Sequence, residues 1–140
     1  MIILDTNVVS ELMRPRPDDK VIGWLDRQPR TSIWTTSVTV FETYFGLEAM
    51  PAGMRRETYA KGFENFLVRI EHRIASFHTD AARCAGALMA SWKLLGRPRE
   101  LRDTMIAGIV LAHRATLATR NTRDFADIPA TVIDPWAASV

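Results

Sequence analysis

Four acidic positions stand where this chain gains little from an acid unless something uses it. Asp5 closes the apolar run Ile2, Ile3 and Leu4 and is followed at once by Thr6 and Asn7. Glu42 lies among Val38, Val40, Phe41, Tyr44, Phe45 and Leu47, and Val38 and Phe45, at i−4 and i+3, share its helical face. An ionised Glu turned inward is costly unless it is paired or bound to a metal. Asp103 heads the apolar stripe Ile106, Ala107 and Val110. The stretch "TRNTRDF" puts Asn121 just beyond a strand over Leu117–Thr119, with Asp124 three residues later.

Each position has a plain explanation. Asp5 suits a helix cap, Glu42 an ion pair with an Arg, Asp103 the positive end of a helix, and Asn121 with Asp124 a polar turn. Taken together they share one cause. Carboxylates gathered from separate segments repel one another unless a divalent cation neutralises them. Mg²⁺ and Mn²⁺ take oxygen ligands, and no cluster of His or Cys competes for the role. Such a centre activates water and steadies the leaving oxygen in phosphodiester hydrolysis.

The elements that must carry these residues alternate. Ile2–Leu4 reads as a short buried strand, and a helix then runs to "RPRP", where each Pro disfavours helix before it. Val21, Trp24 and Leu25 mark a second helix ended by Pro29. "TSIWTTS" is a second strand, and Ser37 is expected to cap the helix that bears Glu42. Tyr59, Phe63, Phe66, Leu67 and Ile70 keep helical spacing. "RIASFH" is a third strand, and Ala81, Ala85, Leu88, Trp92 and Leu95 form a helical stripe closed by Gly96. Asp103 is expected to open a helix to about Arg114, followed by strands in "ATLATRN" and "ATVIDPW". This alternation predicts an α/β domain with a mainly parallel sheet over residues 1–140. Ligands bind beyond the carboxyl ends of such strands, where Asp5 and Asn121 fall.

Composition narrows the classes. A hydrophobic fraction of 47% over 140 residues suits a single folded core, and no apolar run has the length of a membrane span. The N-terminus lacks a signal-peptide pattern, which predicts a cytoplasmic protein. One cysteine, Cys84, rules out an internal disulfide framework and reads as a small apolar residue. Net charge is only +2, yet 15 of the 18 basic residues are Arg. If four acids sit in one pocket, twelve remain to face those 18 bases, and such a surface favours a polyanion. His72, His78 and His113 are scattered and read as surface or structural residues. Trp24, Trp34, Trp92 and Trp136 read as core or interface, and Gly108 predicts a close helix approach.

The blocks "LDTNVVSEL", "TSVTVFETYFG", "DTMIAGI" and "LATRNTRDF", in this order and spacing, resemble the PIN domain, and in particular the FitB-like branch of VapC toxins from VapBC toxin–antitoxin pairs. The resemblance covers nearly the whole chain. It implies an α/β/α sandwich, an Mg²⁺- or Mn²⁺-dependent endoribonuclease that leaves a 5′-phosphate and a 3′-hydroxyl, a VapB-like antitoxin partner and a homodimer. It implies Asp5, Glu42 and Asp103 as metal-binding, catalytic acids. Many relatives carry Asp where this chain has Asn121; Asp124 is expected to supply the missing charge and ranks just above Asn121, which would be a neutral oxygen ligand or a water holder. Thr6, Asn7, Thr119 and Asn121 are expected to orient ligands or water. Arg97, Arg99, Arg102, Arg120 and Arg123 are candidates for the RNA backbone, although a single surface Arg is more often plain solvated charge. A partner peptide is expected in an apolar groove between the early helices, directing a basic side chain at the acids.

Two rivals compete with this reading. An aspartate-dependent phosphatase with Asp5 as nucleophile wants a Lys beside a late acid, and Lys20, Lys61 and Lys93 lie beside none of the candidates. A non-catalytic RNA-binding or scaffold domain predicts RNA binding that survives loss of the acids and needs no metal.

Overall fold

The computed structural model describes residues 1–137. Its strands are β1 (Ile2–Leu4), β2 (Ile33–Thr36), β3 (Ile74–Ala75), β4 (Thr116–Ala118) and β5 (Val132–Ile133). They form one sheet in the order β3-β2-β1-β4-β5, and every pairing is parallel. The helices are α1 (Thr6–Leu12), α2 (Asp19–Asp26), α3 (Ser37–Ala49), α4 (Met54–Arg69), α5 (Thr79–Leu94) and α6 (Leu101–His113).

Successive side chains of a strand point to opposite faces, so a strand buried on both sides feeds two cores. Leu4 and Ala118 join Val8, Val9, Trp24, Phe63 and Phe66 on the face covered by α1, α2 and α4. Ile3 and Leu117 join Ala81, Trp92, Ile106, Ile109 and Val110 on the face covered by α5 and α6. The result is a three-layer α/β/α sandwich. Gly108 lets α6 press against α5, because a Cβ there would stand 2.5 Å from the Ala81 carbonyl oxygen and 2.7 Å from the Ala85 Cβ. The close approach expected at Gly108 is what the packing requires. Among the described residues no helix is long and apolar enough to cross a membrane.

The strand order fixes where a site can form. The chain lays β2 and β3 on one side of β1, then returns to lay β4 and β5 on the other. The reversal leaves a crevice beyond the carboxyl ends of β1 and β4, the usual binding position in an open α/β sheet. Leu4 pairs with Ala118, so Asp5 and Thr119 emerge side by side into that crevice.

Some local expectations shift. The cap of α3 is Thr36, whose Oγ1 accepts from the Thr39 N–H at 3.0 Å; Ser37 instead accepts from the Phe77 N–H. Helix α6 starts two residues before Asp103, because Glu100 caps it by accepting from the Asp103 N–H. Leu95 faces solvent instead of closing the α5 stripe. Phe45, expected on the inward face with Glu42, is 61% exposed, and Phe41 and Tyr44 are open with it. Helix α3 is apolar on two sides, and the fold buries only one. Cys84 is half-buried.

Candidate active site

Asp5 combines both roles weighed for it. Its backbone is extended at the end of β1, its N–H donates to the Ala118 carbonyl, and its Oδ1 caps α1 by accepting from the Thr6 N–H at 2.8 Å. The other oxygen, Oδ2, accepts from the Thr119 hydroxyl at 2.7 Å. That hydroxyl also accepts from the Asn7 side-chain amide at 3.2 Å and the Asn121 N–H at 3.0 Å, so its single proton is committed to Asp5. Asn7 ties the strand ends further, its Oδ1 accepting from the Arg120 N–H. Asp5 is only 3% exposed and has no cationic partner among the described residues. Burial pushes its carboxyl above the usual 3.8, against the pull of the Thr119 and Thr6 hydrogen bonds, and the charges of Glu42 and Asp124 push the same way.

Glu42 is held by a line of hydroxyls that ends on its Oε1. The Thr36 hydroxyl donates to Thr39 at 3.3 Å, and the Thr6 hydroxyl donates to Glu42 at 2.8 Å. With the Thr6 proton spent on Glu42, the 3.1 Å contact between Thr39 and Thr6 requires Thr39 to donate. On the other side, Arg102 stands 3.7 Å from Glu42 Oε2 while its Nε donates to Glu100 at 3.0 Å. Sequence reasoning misses Thr36, Thr39 and Glu100. The run "TTSVT" at the strand-to-helix junction is the available signal for the first two.

Asp103 lies in the first turn of α6, half-buried. Burial, joined by the charges of Asp5, Glu100, Asp124 and Glu42, raises its carboxyl to about 7. Asp124 belongs to the 3₁₀ turn Thr122–Phe125, which its N–H closes by donating to the Asn121 carbonyl. The Asn121 side chain makes no hydrogen bond among the described residues and is exposed, and only its N–H reaches the Thr119 hydroxyl.

The four acids therefore come from four separated segments, and the charges of Glu42 and Asp124 act on both Asp5 and Asp103. Among the described residues no three His, Cys, Asp or Glu side chains converge tightly enough to enclose an ion unaided. An all-oxygen donor set of this looseness fits Mg²⁺ or Mn²⁺. Mg²⁺ keeps several waters and uses one or two carboxylates plus substrate phosphate in place of an all-protein cage.

The five arginines divide. Arg97 and Arg99 share Asp127 at 3.5 and 3.4 Å, and Arg99 also lies over the Trp92 ring and donates to the Asp124 carbonyl. Arg102 reaches the acids directly. The Arg120 guanidinium lies 4.7 Å from the Trp136 ring centroid, and Arg123 is exposed. Trp24 and Trp92 fill the two cores as expected, whereas Trp136 is half-buried beside the crevice. His78 and His113 are exposed, with ring centroids 5.4 Å apart.

An all-parallel α/β/α sandwich with acids gathered at the carboxyl edge of its sheet defines a class of compact acidic-site α/β proteins. The chain belongs to the PIN-domain family: the family model for the PIN domain matches residues 2–130. It is 39% identical to the VapC ribonuclease Y4jK of Sinorhizobium fredii over 137 residues, 97% of this chain and 98% of that one. It is 30% identical to the toxin FitB of Neisseria gonorrhoeae, over 97% of this chain and 99% of that one. Among solved structures, FitAB bound to an IR36 DNA fragment superposes with a TM-score of 0.88 at 29% identity, covering 100% of this chain and 99% of that one. VapBC2 from Rickettsia felis, bound to a promoter DNA fragment, gives 0.78 at 25% identity, over 96% and 98% of the two chains. These relatives place the chain in the FitB-like branch of VapC proteins.

Proposed function

We propose that this protein is the toxin of a type II toxin–antitoxin pair, a divalent-metal-dependent endoribonuclease acting in the cytoplasm as one domain over residues 1–140. The observation that carries the reading is Asp5 at the carboxyl end of β1, buried with no cationic partner among the described residues, with the charges of Glu42 and Asp124 raising the cost of ionising both it and Asp103. A scaffold that needed no cation would gain by losing Asp5, since a buried carboxylate without a cationic partner among the described residues destabilises it.

In this reading Asp5, Asp103, Glu42 and Asp124 hold Mg²⁺ or Mn²⁺. The bound ion supplies a Lewis acid that lowers the pKa of water and offsets phosphate charge. The protein's own part is orientation and proton handling. Thr119 and the Thr6 N–H fix both Asp5 oxygens, and the Thr36–Thr39–Thr6 line fixes Glu42 Oε1 while Arg102 stands 3.7 Å from Oε2. Water adds to phosphorus, the bond from phosphorus to the 3′-oxygen breaks, and the 3′-oxygen takes up a proton from solvent. In this reading Glu42 accepts the proton lost by water. Arg102, on the rim, and Arg120 and Arg123 beyond β4 hold the RNA backbone.

The proposed partners are a VapB-like antitoxin and a second copy of the chain. FitAB and VapBC2 are toxin–antitoxin complexes in the solved structures, and the exposure of Phe41, Tyr44 and Phe45 supports α3 as the surface for the second copy. The decisive experiment incubates the purified protein with structured RNA in Mg²⁺, in Mn²⁺ and in EDTA, beside Asp5→Asn and Asp103→Asn. Cutting that stops in EDTA and drops at least a hundredfold in both variants supports the reading. Undiminished cutting by either variant overturns it.

A further inference from the structure

A groove of about 550 Å³ opens beside the acids, between α1, α3 and α4, with Thr6, Asn7 and Glu42 at its inner end. We infer that this groove receives an unpaired RNA base next to the bond being cut, and that the Thr43 hydroxyl reads its edge. The inference rests on the ribonuclease reading and adds to it a residue that sets base preference.

Three observations converge. Thr43, on α3, is 7% exposed and lines the groove, and its Oγ1 is the one buried side-chain polar atom without a partner among the described residues. A buried hydroxyl left unsatisfied is uncommon and costly, and a ligand that supplies its partner removes the cost. Two stacked Arg–aromatic pairs line the same groove: Arg120 at 4.7 Å from the Trp136 ring and Arg55 at 5.7 Å from the Tyr59 ring. Neither guanidinium meets a carboxylate among the described residues, whereas Arg14 in the same groove is held by Glu11 at 3.1 Å. Finally, Thr6 and Glu42 themselves line the groove, so its occupant lies beside the acids.

This combination matches a nucleotide better than a purely apolar group. Unpaired bases are recognised by stacking on aromatic or guanidinium planes together with hydrogen bonds to their edges. The volume lies within the range of small-ligand sites. A free guanidinium at the wall suits the adjoining phosphate. The groove limits which bases enter, and the hydrogen bond between the Thr43 hydroxyl and the base edge sets the preference among them.

Two variants test this without touching the acids. Thr43→Val keeps the shape and removes the orphan, so folding is not at risk. Gly46→Leu plugs the groove, because a Cβ at Gly46 meets no atom within 4 Å. A randomised single-stranded RNA pool is cut in Mg²⁺ and the sites are sequenced, and labelled hexamers of defined sequence are titrated in EDTA by anisotropy. The expected result is a base preference at one position flanking the cut, reduced about tenfold by Thr43→Val, with hexamer affinity reduced at least tenfold by Gly46→Leu. If Thr43→Val cuts with the wild-type preference, the inference is overturned while the ribonuclease reading stands. The inference falls equally if the variants weaken only antitoxin binding. If the wild type cuts no RNA, the ribonuclease reading falls and the titration decides: base-dependent affinity lost in Thr43→Val supports the pocket, and equal affinity for all hexamers overturns it.

Discussion

Replacing Asp103 by Asn should make the metal-free protein more stable at alkaline pH, the opposite of the usual effect of mutating a half-buried residue. The Asp103 carboxyl is raised from its ordinary 3.8 to about 7, by burial first and then by Asp5, Glu100, Asp124 and Glu42. A group with a raised folded-state pKa contributes stability that is complete below its unfolded pKa and is lost as pH rises through the folded one. For Asp103 the loss runs from about pH 4 to about pH 7, and the raised Asp5 adds in the same direction. Each tenfold change in proton affinity is worth about 1.4 kcal/mol, so a fully desolvated group would lose roughly 4 kcal/mol over this interval. Asp103 is only half-buried, and solvent screening reduces the loss to about 1–2 kcal/mol. Asparagine has nearly the same shape and never ionises. In EDTA at pH 8, Asp103→Asn should therefore melt about 2–6 °C above the wild type, and the gap should close near pH 4. Mg²⁺ should raise the wild-type melting temperature at pH 8 and move the variant much less, since the variant has lost both the strain and a ligand. Thermal denaturation at the two pH values, with and without Mg²⁺, reads all four quantities. A variant no more stable than wild type at pH 8, or a gap that ignores pH, would refute the claim that these carboxylates strain one another.

Thr119→Val removes the hydroxyl that donates to Asp5 and accepts from Asn7 and Asn121; it should cost about 1–3 kcal/mol in urea denaturation and slow RNA cleavage at least tenfold. Thr6→Val unhooks Glu42 from the hydroxyl line, and the expected signature in steady-state kinetics is a lower kcat at little-changed KM. Gly108→Ala forces a Cβ onto the Ala81 carbonyl and Ala85; although Ala favours helix by about 1 kcal/mol, the clash should leave the variant about 1–3 kcal/mol less stable by urea denaturation. Phe45→Glu puts a charge on the open face of α3, and light scattering should then show a monomer in place of the dimer proposed for the wild type.

What the sequence reveals and what it conceals divide along the range of the interactions. Asp5 is legible as a strand-end acid because Ile2–Leu4 is uninterruptedly apolar, a local pattern. Cap and ligand are not alternatives for it, since one carboxylate oxygen caps α1 while the other turns to Thr119. The start of α6 falls two residues earlier than its sequence suggests because Glu100, a poor cap by type, fills the role here by accepting from the Asp103 N–H. Helix α3 misleads in another way. With apolar residues nearly all round, nothing in its spacing separates the side covered by the fold, with Val38 and Leu47, from the side left open, with Phe41 and Phe45. The hydrogen bonds that hold the acids are the least visible. Thr39 and Thr6 are 33 residues apart, Glu42 and Thr6 are 36 apart, and Thr119 and Asp5 are 114 apart. Such contacts follow from which strands are neighbours, and periodicity locates strand ends without giving strand order. Only an order that sets β4 beside β1, in the register pairing Leu4 with Ala118, delivers the Thr119 hydroxyl to Asp5. A shift of one residue in that register would turn Leu117 and Thr119 to the opposite face of the sheet. The two cores on either side of β4, with Leu117 in one and Ala118 in the other, thus enforce the geometry of the acid between them.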